Sequence, residues 1–352
     1  MIRFLSAFLV AASVAQAQAV DLPPPTGDSI VAPDAKLELL FTRSAAIEGG
    51  LTEGAACAPD GSIYFSDIPV GTDKGMILRF DPATKQVTTF TADSRKSNGL
   101  IFDAGGRLLA CEGANYGGRS VARWNVATKQ RTVLADNYKG KRFNAPNDLC
   151  IDREGRIFFS DPRYLGTETR ELEHRAVYRL DPNGKVTEVT HAVSKPNGVA
   201  LSPDDRTLYV AEHNNGTDRI DPAAPAPKQG LMRIHAFPLD IVGNVAGPGH
   251  IVLDFGDKKG CDGMTVDLAG RIYLTVRDAS RPGVLVIDKE GKEQGFIPTG
   301  PANQTAKEPV GLPSNVEFGL GADEHMLYIT VDKSLYRIRL KSKGFHRQFV
   351  SM

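Results

Sequence analysis

Six oxygen-bearing side chains recur at one position of a repeated motif in this 352-residue chain: Glu53, Asn98, Asn147, Asn197, Asp262 and Asn315. Each stands at the head of a short apolar run, and each is a carboxylate or a carboxamide. Oxygens of this kind gathered at one point suit a hard divalent cation. Ca2+ accepts carboxylate, amide oxygen and water in flexible geometry, and Mg2+ or Mn2+ takes the same donors under tighter geometry. Neither Cys nor His occupies the position, which argues against a soft-ligand centre. A single Asn before a strand is ordinary turn chemistry; six in register ask for a shared purpose.

The elements that hold them are hairpins. Aligned on their turns, six segments match: LTEGAACAPDGSIYFSD (51–67), KSNGLIFDAGGRLLACE (96–112), APNDLCIDREGRIFFSD (145–161), KPNGVALSPDDRTLYVAE (195–212), GCDGMTVDLAGRIYLTV (260–276) and LPSNVEFGLGADEHMLYITV (312–331). Each reads as an apolar strand, a Gly/Asp-rich turn and a second apolar, aromatic strand. A second half-repeat follows every copy: 75–90, 120–134, 176–189, 230–240, 283–297 and 334–345. Four strands recurring at a period of about 45–65 residues mark an all-β chain, a six-bladed β-propeller. The last repeat has little chain left for an outer strand, so Lys36–Phe41 (KLELLF) is expected to complete it and close the ring. Closure removes exposed sheet edges. In an up-and-down blade, the start of the inner strand and the end of the second strand share one face. The six oxygen-bearing residues should therefore encircle the central channel there.

These segments resemble the SMP-30/gluconolactonase/LRE-like family, from about residue 36 to the end, and most of all its gluconolactonase branch. The resemblance rests on TEGAACAPDGSIYFSD, NAPNDLCIDREGRIFFSDPRY, PNGVALSPDDRTLYVAE, CDGMTVDLAGRIYL and PSNVEFG with LYITVDKSLYRI. It implies a calcium-dependent six-bladed propeller of the kind found among sugar lactonases and phosphotriesterase relatives. It also implies Glu53, Asn147, Asn197 and Asp262 as metal ligands, four members of the ring above. One departure stands out: the family's first motif is EGP followed by an aromatic residue, where this chain has Glu53-Gly54-Ala55-Ala56.

The implied reaction is hydrolysis of a lactone by a metal-dependent carboxylic ester hydrolase. Ca2+ is the expected cation, with Mg2+, Mn2+ or Zn2+ as other divalent candidates. Asp262 is expected both to bind the metal and to act as general base toward water. Substrate contacts are expected from the same face: Asn98, Glu112, Asn144, Arg163, Tyr164, His213 and Asn315. The long connectors Pro162–Arg175 and His213–Gln229 begin there and are expected to form a lid. Two other functions fit the same ring: a metal-dependent phosphotriesterase or arylesterase, and a non-catalytic binding propeller stabilised by its metal. Other templates are missing. The chain contains no G-x-S-x-G, H-E-x-x-H or G-x-x-x-x-G-K-[ST] segment, and its seven histidines are scattered singly.

Forty-two basic residues balance 42 acidic ones. That argues against nucleic acid or an anionic membrane surface as partner, since both favour a basic excess. Residues 1–19 have the layout of a secretory signal peptide: Arg3, an apolar run from Phe4 to Val14, then Ala15-x-Ala17 and Ala17-x-Ala19. Cleavage after residue 17 or 19 is expected, leaving an extension (20–35) before the catalytic propeller (36–352) and a periplasmic or extracellular protein. The mature chain is expected to have no membrane span. Cys57, Cys111, Cys150 and Cys261 are far apart with no C-x-x-C pair and read as buried thiols.

Overall fold

Alternation of β-branched and aromatic residues with Gly/Asp turns drives the described chain almost wholly into strands, with two short 3-10 turns and no α-helix among the described residues. The computed structural model describes residues 22–43, 50–69, 71–217, 225, 228–300 and 311–349. The leader and most of the connector His213–Gln229 lie outside the described residues. No helix among the described residues is long and apolar enough to cross a membrane.

Six four-stranded antiparallel sheets follow one another along the chain, and a two-residue hairpin (Asn137–Tyr138 with Lys141–Arg142) sits beside them. The inner strands are Leu51–Cys57, Ser97–Phe102, Leu149–Ile151, Pro196–Leu201, Cys261–Val266 and Pro313–Phe318. Each packs on the inner strands of its two neighbours, the last on the first, so the protein is a closed six-bladed β-propeller. Its hydrophobic core is not one mass. It divides into six wedges, each between adjacent blades; one joins Tyr209, Ile234 and Ala236 of blade 4 to Met264, Ile272 and Leu285 of blade 5.

Ring closure follows the expected route. Glu38–Thr42 pairs antiparallel with Ser334–Arg339 as the outer strand of blade 6. Arg337 Nε donates to Glu38 Oε2 at 2.8 Å, and Phe41 meets Phe65 of blade 1 edge-on at 5.6 Å. Blade 4 differs from expectation. Its outer strand is His250–Asp254, beyond the segment 230–240, because the chain makes an excursion through Leu239–Gly249 before returning to the blade.

The charged turns form a repeated box. Asp103, Asp152 and Asp267 each accept the backbone N–H groups two and four residues on through Oδ1, while the Arg four residues on donates Nε to Oδ2. This chemistry fixes the hairpin tip of blades 2, 3 and 5, and with it the register of each inner strand.

At the other end of the inner strands the pairing is interrupted. Register shifts fall between Glu53 and Ala56, Ser97 and Leu100, Pro196 and Val199, Cys261 and Met264, and Pro313 and Asn315. A bulge bends the strand and re-aims a side chain. Here bulges in five of the blades fall at the oxygen-bearing positions. Gly54 shows why glycine follows Glu53: its φ is +54°, and a Cβ there would lie 2.0 Å from the Asn98 carbonyl. Deeper in the channel, inner-strand residues from Ile101 to Glu317 enclose a small cavity of about 70 Å3. Phe345, His346, Arg347 and Gln348 line its far side, so the C-terminal segment crosses the lower mouth.

Candidate functional site

The upper ends of the inner strands bring Glu53, Asn147, Asn197, Asp262 and Asn315 together at one mouth of the channel, all under 10 % exposed, with Asn98 half-buried. Asn197 Nδ2 donates to Asp262 Oδ1 at 2.5 Å and to the Tyr164 hydroxyl at 2.9 Å. Arg277 Nε lies 3.3 Å from Asp262 Oδ2. Glu53 takes up a proton far more readily than an ordinary carboxylate, first because it is buried and next because Asp262 repels its charge; Arg277 opposes the shift. Among the described residues its carboxylate accepts a single hydrogen bond, from Gly54 N at 3.3 Å. The side-chain amide of Asn147 has no hydrogen bond to any described residue, although its backbone is tied to Ser160 O and Gly99 N. Two groups able to donate lone pairs are thus held at the ring with little or no internal partner.

The donor set is two carboxylates among carboxamides. Among the described residues no three His, Cys, Asp or Glu side chains form a cluster able to hold a metal ion. A cation at the ring therefore needs the asparagine oxygens, and two carboxylates with neutral amides match a hard divalent ion in charge and in kind.

The expected substrate contacts divide. Tyr164 and His213 stand at the ring: the Tyr164 hydroxyl donates to His213 O at 3.2 Å, and the two rings meet edge-on at 6.2 Å. Burial, then Asp262 and Glu53, push the Tyr164 phenol up. His213 Nδ1 donates to Cys261 O at 2.9 Å, and burial lowers the imidazole below its usual range. Asn315 Oδ1 accepts from Val316 N at 2.8 Å, and its side chain also bonds Asp148. Asn98 leaves its side-chain amide free of described partners while its carbonyl accepts from Ser66 Oγ.

Glu112 and Asn144 are kept away from the ring. The Glu112 carboxylate is fully buried along blade 2, where Arg131 and Ser120 Oγ donate to it. Asn144 spends its amide on Asp161 O and His174 O while accepting from Arg170 Nε, so it knots the connector Pro162–Arg175 to blade 3. Arg163, with φ +56°, donates to Gly166 O and Glu168 O and folds the same connector.

Sequence reasoning missed Arg277 and Asp148. Nothing in LTVRD singles out the arginine. Asp148 had a signal: it stands where four other copies carry Gly after the ring residue. Fully buried in the channel, it accepts from Val199 N at 3.2 Å and bonds the Asn315 side chain of the opposite blade. Burial pushes its pKa up to about 7 despite those bonds.

A closed six-bladed propeller with an acid–amide ring at one mouth is the class that fold and site define. The SMP-30/Gluconolactonase/LRE-like region model matches residues 51–333, and the chain belongs to that family. It is 29 % identical over 314 residues to a protein named gluconolactonase from Zymomonas mobilis, covering 83 % of this chain and 79 % of that one. Among solved structures it is similar to a gluconolactonase from Xanthomonas campestris, with 28 % identity, TM-score 0.71 and coverage of 91 % and 96 %. A regucalcin from Agrobacterium tumefaciens, described as a calcium-binding protein, shares the fold at 18 % identity and TM-score 0.64, covering 88 % and 95 %.

Proposed function

We propose that the protein is a divalent-cation-dependent lactonase, with Ca2+ as its cation and a sugar lactone as substrate. The observation that carries this reading is the ring itself: two buried carboxylates, Glu53 and Asp262, within electrostatic reach of each other and surrounded by carboxamides. The gluconolactonase names of the Zymomonas and Xanthomonas proteins support the choice of reaction.

Glu53, Asn147, Asn197 and Asp262 would hold the ion. When bound, it supplies Lewis acidity toward the lactone carbonyl oxygen. The chain's own groups do the rest. Glu53 and Asp262 provide the negative charge, and a cation would occupy the place for which the raised Glu53 now favours a proton. Asp262 is oriented by Asn197 on one oxygen and Arg277 on the other, which leaves one lone pair for the cation and one to take a proton from water. Water oxygen then bonds the carbonyl carbon, the ring C–O bond breaks, and the leaving oxygen takes up a proton to give the hydroxy acid. Asn98, Asn315 and His213 surround this point as candidate substrate contacts, and the Pro162–Arg175 connector as its cover.

The deciding experiment assays the purified mature protein on an aldonolactone panel, beside phosphotriesters and aryl esters, after EDTA and after restoring Ca2+, Mg2+, Mn2+ or Zn2+. Lactone turnover that EDTA abolishes and Ca2+ restores is expected. A preference for phosphotriesters or aryl esters would reassign the reaction. A chelator that lowers the melting temperature of a protein with no turnover would leave a binding propeller. The reading includes export on the strength of the leader, and N-terminal sequencing that returned Met1 would end that part.

A further inference from the structure

The hydrogen bonds around Tyr164 can be read in only one direction. The His213 carbonyl, 3.2 Å from the Tyr164 hydroxyl, has no proton to give, so the phenolic hydrogen goes to it. The phenolic oxygen can then only accept from Asn197, 2.9 Å away, and the Asn197 atom there must be Nδ2. Asp262 Oδ1, 2.5 Å from the same atom, imposes the same choice, because a carboxamide oxygen in that place would face a carboxylate oxygen with no proton between them. Both Nδ2 hydrogens are consumed. Oδ1 is the Asn197 atom left for a ligand.

Tyr164 is itself clamped. Lys195, 1 % exposed, sets its Nζ 4.2 Å from the centre of the phenol ring, and Nζ also donates to Asn215 Oδ1, Thr217 O and Thr217 Oγ1. A buried ammonium over an aromatic face is attractive, and here it ties the ring to the start of the neighbouring connector.

We propose that Tyr164 is a positioning residue for the cation: its hydroxyl, held by the His213 carbonyl and backed by Lys195, fixes the Asn197 carboxamide with Oδ1 presented to the metal. The proposal rests on the cation reading above. It assigns Tyr164 to the ligand's orientation and not to the substrate. Removing an orienting partner behind a metal ligand costs about 10–100-fold in affinity.

The test is a double-mutant cycle read by calorimetric titration with Ca2+, with melting temperatures in EDTA alongside. Tyr164→Phe should weaken Ca2+ binding at least about 10-fold while barely moving the metal-free melting temperature. In Asn197→Ala no carboxamide is left to orient. Adding Tyr164→Phe to that variant should change Ca2+ affinity by less than about twofold. If Asn197→Ala does not fold, Asn197→Ser takes its place, and Tyr164→Phe should again add nothing. An equal loss in both backgrounds, or none in either, overturns the proposal. Failure of the unaltered protein to bind Ca2+, Mg2+, Mn2+ or Zn2+ would instead sink the cation reading, and this inference with it.

Discussion

Asn197 and Asp262 touch across a blade boundary: the carboxamide of blade 4 donates to the carboxylate of blade 5 at 2.5 Å. The two residues are 65 positions apart in sequence, and only the closing of inner strand on inner strand joins them. The site is thus a property of the assembled ring, since no blade contains it alone.

Three substitutions separate roles within that ring. Asp262→Ala removes a charged group that is both the proposed ligand and the proposed base, so turnover should vanish and metal affinity should fall. Asn147→Ala removes a proposed neutral ligand, and excess metal should partly restore its activity. Asn98→Ala should raise KM more than it lowers kcat, as loss of uniform binding does. Equal metal affinity in all three variants would mean that the ring only caps turns.

Arg277 would compete with a bound cation for Asp262. Arg277→Gln should tighten Ca2+ binding by at least about 5-fold, because a positive charge about 4 Å from a buried proposed ligand is worth on the order of 1–4 kcal/mol. The same variant should melt lower in EDTA at pH 7, where Glu53 and Asp262 lose their opposing charge. Weaker Ca2+ binding would show that Arg277 serves the ligand's geometry.

Glu317 lies lower in the channel, accepting from Phe318 N at 2.7 Å and Thr265 Oγ1 at 3.3 Å, and burial pushes its pKa up to about 8. A carboxylic acid whose folded pKa exceeds its unfolded value favours the fold while both states are protonated. Stability should therefore fall as pH rises from about 4.5 toward 8, then level off. Glu317→Gln should remove part of that decline and raise stability at pH 8.5 by about 2 kcal/mol or more relative to pH 5. Asp148, pushed up to about 7, acts in the same sense and leaves a residual slope. Denaturant titrations at the two pH values measure both.

Closure depends on Glu38–Thr42. Deleting residues 20–42 should lower the melting temperature by far more than loss of an unpacked leader, since blade 6 loses its outer strand. Phe41→Ala, which keeps the strand but removes the ring packed on Phe65, should cost about 1–3 kcal/mol. An unchanged melting temperature in the deletion would mean that closure contributes nothing to stability.

Much of this was legible because its signals are local. The Gly/Asp-rich turns, the aromatic second strands and the ring residues at the heads of the inner strands each lie within one hairpin, and their recurrence revealed both the blades and the ring register. What the pattern could not show is where a side chain spends its hydrogen bonds. Glu112 ends a second strand just as His213 does, yet Arg131 claims its carboxylate from the outer strand of its own blade. Arg277 reaches Asp262 from the connector of the same blade, a contact no repeat encodes. The outer strand of blade 4 escaped because the excursion after Leu239 breaks the spacing that marks the other blades.

The C-terminal segment beneath the channel has a steric consequence. With Phe345, His346, Arg347 and Gln348 in its lining, the cavity below the ring holds about 70 Å3, room for about two water molecules. A sugar ring does not fit there. Any lactone that reaches the ring must approach from the opposite mouth, and the space below can store water but not substrate.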